Sequence, residues 1–107
     1  MNMTAKDLKV AQELKQRLAA QASLVDFRVF GSRARGDADE ASDMDVFVEV
    51  ESLTPEVKER IHELAWEVGF KHFMVISPLV VSRHEVEKTA LRSSPIIRNI
   101  TREGVAV

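Results

Sequence analysis

The 107-residue sequence predicts an α/β (α+β) domain, a small mixed sheet with helices packed against it. Three observations predict it. Apolar residues recur at helical spacing from Leu8 to Leu18, from Val57 to Val68 and from Ile96 to Ile100. They alternate or run together at strand spacing from Val25 to Val29, from Met44 to Val50 and from His72 to Val81. The two kinds of segment interleave along the chain, which places helices against a sheet rather than in a bundle.

Thr4 is the N-cap of a first helix, with Asp7 at the capping-box position, and Leu8, Ala11, Leu14 and Leu18 share one face as far as about Ala22. Val25, Phe27 and Val29 alternate with Asp26 and Arg28 in a strand that ends at Gly31, and a second strand runs from Met44 to about Val50. Thr54 caps and Pro55 opens a helix whose stripe, Val57, Ile61, Leu64, Ala65 and Val68, stops at Gly69. His72 to Val81 reads as a third, largely buried strand interrupted by Pro78. Ser82 and Glu85 make a capping box for a short helix. Ser94 and Pro95 start a last helix through Ile96, Ile97 and Ile100, Gly104 stops it, and "VAV" is left as a terminal strand or docking tail. No repeat, low-complexity tract or linker interrupts the chain, so residues 1–107 are expected to form a single domain.

Composition narrows the function. The chain is 45% hydrophobic and 30% charged, ordinary for one modest core, and holds no cysteine, which excludes a disulfide frame, a thiolate nucleophile and cysteine-ligated zinc or iron–sulfur centres. A polar start, "MNMTAKDLKV", and a longest apolar stretch, Phe73 to Val81, too short to span a bilayer, set the expectation of a cytoplasmic protein. Net charge is −2, without a basic groove or stacking aromatics, so direct nucleic-acid binding is not expected and phosphate contacts must come from a local cluster.

Such a cluster lies in "FGSRARGDADEASDMDVFVEV", Phe30 to Val50. Asp43 and Asp45 stand two positions apart at the mouth of the second strand, so both carboxylates point to one face, about 6–7 Å apart along the strand, while Met44, Val46 and Val48 enter the core. Two carboxylates so placed can hold a hard cation such as Mg2+, which completes its shell with phosphate oxygens and water. Gly31 lets backbone N–H groups approach a phosphate, Ser32 adds a hydroxyl, and Arg33 and Arg35 add charge toward a triphosphate. Taken singly the same residues also fit a solvated turn and acids that blunt a strand edge.

Spacing rejects two alternatives. Gly31 and Gly36 have the glycine spacing of a P-loop, but Asp37 and Ala38 stand where Lys and Ser/Thr are required. An EF-hand starting at Asp37 would have Ala41 at its fifth position and Val48 in place of the bidentate Glu. The "RGD" of Arg35 to Asp37 is incidental.

"GSRARGDADEASDMDVFVEV" resembles the signature of the polymerase-beta-type nucleotidyltransferases, glycine–serine followed about ten residues later by aspartate–x–aspartate on a strand, and is close to the minimal single-domain members. The motif spans about a fifth of the chain, and the surrounding order of helices and strands agrees with it. The resemblance implies that Gly31 and Ser32 hold a nucleoside triphosphate, with Arg33 or Arg35 steadying charge, that Asp43 and Asp45 ligate Mg2+ for catalysis, and that Ser42 fixes the turn. It also implies a third carboxylate on a neighbouring strand, yet "KHFMVISPLVV" contains no acid, and Ser77 is the candidate occupant of that place. Glu49 shares the face of the pair but lies too far along the strand, and Glu85 is a cap.

The histidines, His62, His72 and His84, match no metal motif, although His72 is placed to approach the cluster from the third strand; Trp66 sits at a helix edge. Minimal members of this family resemble one half of a pair whose other half is a helical HEPN-domain toxin. The resemblance therefore implies transfer of AMP from ATP to a hydroxyl, typically a tyrosine, of that partner, in an antitoxin role. The C-terminal "IIRNITREGVAV" and the sheet edge are candidates for the contact. A non-catalytic module that binds nucleotide and neutralises its partner by occlusion is the alternative.

Overall fold

The antiparallel pair of β1 (Leu24–Phe30) and β2 (Met44–Val50) is the centre of the molecule, and a computed structural model describes residues 3–107 around it. Short α2 (Ser32–Arg35) joins the two strands, α1 (Ala5–Ala19) precedes them, and α3 (Pro55–Lys71) carries the chain over to β3 (Ile76–Ser82). After β3 come α4 (Arg83–Lys88), a 3-10 turn at Ala90–Ser93, α5 (Pro95–Glu103) and β4 (Val105–Ala106). The sheet order is β3-β2-β1-β4, with β2 and β3 parallel and the other pairs antiparallel, so the expected mixed sheet is the one found. No helix among the described residues is long and apolar enough to cross a membrane.

Strand alternation gives the sheet two different faces. Met44, Val46, Val48 and Val50 of β2, with Phe27 and Val29 of β1, are buried with Val10, Ala11, Leu14 and Leu18 of α1 and Ile61, Leu64, Ala65 and Val68 of α3. On the opposite face Phe47 and Val81 pack with Ile97 and Ile100 of α5 in a smaller cluster. That second core leaves uncovered the end of β2 where Asp43 and Asp45 lie, and the site occupies this end.

Several local expectations need correction. On α1 the buried stripe is Val10, Ala11, Leu14 and Leu18, while Leu8 is exposed, and the helix ends at Ala19 rather than near Ala22. Val25 is exposed too, because a bulge between Leu24 and Asp26 breaks the alternation of β1. The third strand begins at Ile76, not His72, since α3 runs through Gly69 to Lys71. Gly69 is required there by close approach rather than as a stop: a Cβ on it would lie 2.6 Å from the backbone oxygen of Met74. The segment "IIRNITREGVAV" completes the fold, with Ile97 and Ile100 buried and Val105–Ala106 paired to β1, so it is not a free docking tail.

The end of α3 explains the chain's turn into β3. His72 is the C-cap, the Phe73 N–H donates to Phe70 O, and the Met74 N–H donates to Gly69 O at 2.9 Å, which together form a Schellman motif. Its left-handed position is held by Phe73, at φ 56° and 94% exposed, where glycine is the usual residue. Phe73→Gly is therefore expected to raise the unfolding free energy by about 1 kcal/mol, measured by urea denaturation, because it relieves the left-handed penalty and forfeits no buried contact.

Trp66, Phe70 and Val75 are exposed and line one hollow, on which the Trp66 and Phe70 rings stack at 5.1 Å. Beside it β3 is an edge strand. Val75 O accepts from the Met44 N–H, so by the alternation of a parallel ladder Pro78 turns its nitrogen to the open edge, where the missing N–H discourages strand addition.

Glu49 is the polar exception on β2. It is buried, faces Asp26 across the β1 ladder, and its carboxyl is held above the ordinary range by burial first and by the negative charge of Asp26 next. Folding thus disfavours its charged form, so stability is lost as pH rises from the unfolded-state value of this group through its folded-state value. Glu49→Gln is expected to raise Tm at neutral and alkaline pH and to leave it unchanged in acid, a difference read from melts across the pH range.

Candidate active site

Gly31 is the N-cap of α2 at φ 75° and ψ −156°, a backbone conformation that L side chains rarely adopt. A Cβ on Gly31 would also stand 2.8 Å from Asp45 Oδ2, so glycine is required both by its dihedrals and by the carboxylate pressed against it. No side chain caps the first turn of α2, which leaves its leading N–H groups, beginning at Ser32, beside that carboxylate.

Asp43 is exposed and Asp45 half-buried, the latter opposite Phe30 on β1 and beside Ser77 on β3. The carboxyl of Asp45 is pushed above the ordinary range, by burial first and by the charge of Asp43 second. The charge of Asp43 makes Asp45 costlier to ionise, and a divalent ion between the two carboxylates would remove that repulsion. The residues present fit an ion such as Mg2+, which Asp43 and Asp45 would hold. A proton would compete for the same oxygens, so any affinity for the ion is expected to rise with pH, checked by Mn2+ titration across the acid range.

Ser77 stands where sequence could not fix the register. It pairs with Asp45 in the parallel β2–β3 ladder, and its hydroxyl lies 3.5 Å from Asp43 Oδ2, the long limit of a hydrogen bond. Among the described residues no three His, Cys, Asp or Glu come together as a metal site, so the neutral hydroxyl is what β3 contributes. Glu49 lies four positions beyond Asp45, about 13 Å along the strand, with Phe47 between. His72 does not approach the pair; at the C-cap of α3 its ring nitrogen meets Glu13 at 2.9 Å, and Glu13 is held below the ordinary carboxylate range by that contact first, with Lys71 adding to it.

Arg33 is turned to a different task from the expected one. Its guanidinium is buried and donates to Asp7 Oδ1 at 2.8 Å, to Ser42 O at 2.7 Å from Nη2 and 3.0 Å from Nε, and to the carbonyls of Glu40 and Asp39. With its donors spent on the loop that leads to Asp43, Arg33 clasps that loop to α1 rather than reaching for a phosphate. Ser42 fixes the same loop, bonding Asp39 through its hydroxyl. Arg35 remains exposed, with Asp37 at 3.2 Å, and lines a hollow of about 240 Å³ together with Phe30, Gly31, Ile96, Asn99, Ile100 and Glu103. The α5 wall of this hollow was not foreseen. Its signal in the sequence was the spacing of Ile96, Asn99 and Glu103 on one face of the last helix.

Comparison with known proteins adds three findings. The family model described as "Nucleotidyltransferase domain" matches residues 9–107. A Methanocaldococcus jannaschii protein named "Putative protein adenylyltransferase" is 39% identical over 56 residues, 51% of this chain and 57% of that protein, so the match spans little more than half of that relative. Two solved structures share the fold: one described as a "putative minimal nucleotidyltransferase", with TM-score 0.65, 23% identity and coverage of 100% of this chain and 97% of that one, and a "putative nucleotidyltransferase from Sulfolobus solfataricus", with TM-score 0.51, 22% identity and coverage of 92% and 77%.

Proposed function

The chain belongs to the nucleotidyltransferase domain family, and we propose that it transfers AMP from ATP, with Mg2+, to a hydroxyl of a partner protein. The observation that carries this reading is the contact between Gly31 and Asp45, which sets a side-chain-free turn directly against an acidic pair on the next strand. A triphosphate lying along the turn accepts from its N–H groups and from the Ser32 hydroxyl, and the open hollow between Arg35 and α5 receives the rest of the nucleotide. Asp43 and Asp45 would hold Mg2+, which would supply neutralisation of phosphate charge there.

In the step itself the acceptor oxygen bonds to the α-phosphorus, the α–β bridging bond breaks, pyrophosphate leaves and the hydroxyl proton passes to solvent. Alignment and charge neutralisation supply most of the acceleration in such transfers, so the reaction proceeds without a base on this chain. The named relative supports a protein acceptor. The exposed surface of Trp66, Phe70 and Val75 supports a macromolecular partner, for which a helical HEPN-domain toxin in the cytoplasm is our candidate, this chain serving as antitoxin.

The test is to co-express the chain with the product of its neighbouring gene, add ATP and Mg2+, and weigh both proteins intact. A gain of AMP on the partner establishes transfer. A stable complex of unchanged masses would instead favour occlusion without chemistry.

A further inference from the structure

We infer that this site works with one divalent cation per bound nucleotide rather than a pair, and that Ser77 is the residue that fixes the number. The inference rests on the nucleotidyltransferase reading above and adds to it how the site is filled.

Two cations acting together in phosphoryl chemistry sit about 3.5–4 Å apart and need carboxylates that bridge them as well as anionic oxygens of their own. Asp43 and Asp45 satisfy the first ion. Mg2+ is content with one or two carboxylates, its other positions going to phosphate oxygens and water. A second ion would have to lie to one side of Asp45. On the β1 side the carboxylate of Asp45 faces Gly31, which has no side chain to offer a second ion a ligand. On the β3 side the position in register with Asp45 is Ser77. A serine hydroxyl offers lone pairs but no charge, so it cannot offset a second dication brought beside the first. Nor does another acid reach the place, since Phe47 stands between Asp45 and Glu49, and no third ionisable ligand joins the pair among the described residues. Ser77 therefore serves the single-ion site as a neighbour of Asp43 at 3.5 Å.

Electron paramagnetic resonance with Mn2+ and α,β-methylene-ATP, which cannot transfer AMP, tests this on the intact chain. Wild type should retain one Mn2+ per bound analogue with an uncoupled spectrum. Ser77→Asp should retain two, with the spin-coupled spectrum of neighbouring ions, while Ser77→Asn, of the same shape without the charge, should stay at one. A coupled pair in wild type would overturn the inference, as would a single ion in folded, analogue-binding Ser77→Asp or two ions in Ser77→Asn. Failure of wild type to retain the analogue at all would overturn the nucleotide reading beneath it, and the absence of analogue from the protein fraction tells this outcome from the others.

Discussion

Asp43→Asn is expected to leave the chain folded and to lower nucleotidyl transfer by about a thousandfold or more. The direction on stability follows from position: Asp43 is exposed, and its negative charge is one of the two causes that push the carboxyl of Asp45 upward. Removing that charge relieves Asp45, so Tm should hold steady or rise slightly at neutral pH. The direction on activity follows from the cation. An amide oxygen is a neutral ligand, so the pair loses half its charge, and stabilisation of the developing phosphate charge, worth several kcal/mol, is largely lost. Each 1.36 kcal/mol is about tenfold in rate. Intact-mass kinetics with the partner, set beside a thermal melt of the same preparation, check both halves. A variant that still transfers at the wild-type rate would remove Asp43 from the metal set.

Arg33→Ala carries the largest expected cost in stability, about 3–5 kcal/mol by urea denaturation, because it leaves Asp7 charged and buried without its partner. The two side chains are 8% and 6% exposed, and the guanidinium also satisfies carbonyls of the loop before Asp43. Binding of Mg2+ and nucleotide should weaken as well, since that loop delivers one of the two acids. The alternative, a phosphate-contacting arginine, makes a different forecast: weaker nucleotide binding with stability intact. Arg35, exposed beside the hollow at α5, is the residue to which that forecast applies.

What the sequence disclosed and what it withheld divide along the distance between partners. Thr4, Thr54 and the Ser82–Glu85 capping box were legible because each cap bonds its own first turn, three residues away. The facing of Asp43 and Asp45 followed from strand alternation alone. Arg33 was misread because its partner, Asp7, is 26 residues distant on another helix, and local sequence offers only a basic residue next to a turn. The α3–β3 boundary was missed for another reason: Phe73 to Ile76 is an unbroken apolar run that fits either period, and Gly69 looks like a stop while serving the close approach of Met74. Ser77 was named as a candidate, but its register depends on a parallel crossover that no local pattern encodes.

That crossover has a further consequence, for how such a site changes over generations. Gly31, Ser32, Asp43 and Asp45 all belong to the β1–β2 unit, a nearly contiguous stretch that can be inherited as one block. The position beside them comes from a separate strand, delivered by the full length of α3. If the site works as proposed, one point mutation at residue 77 would alter the chemistry while the nucleotide grip stayed as it is, and a one-residue deletion in the α3–β3 turn would bring Pro78 to the same place. On that reading the grip and its tuning lie on different genetic handles, so catalytic power would be gained or lost without first losing the ligand.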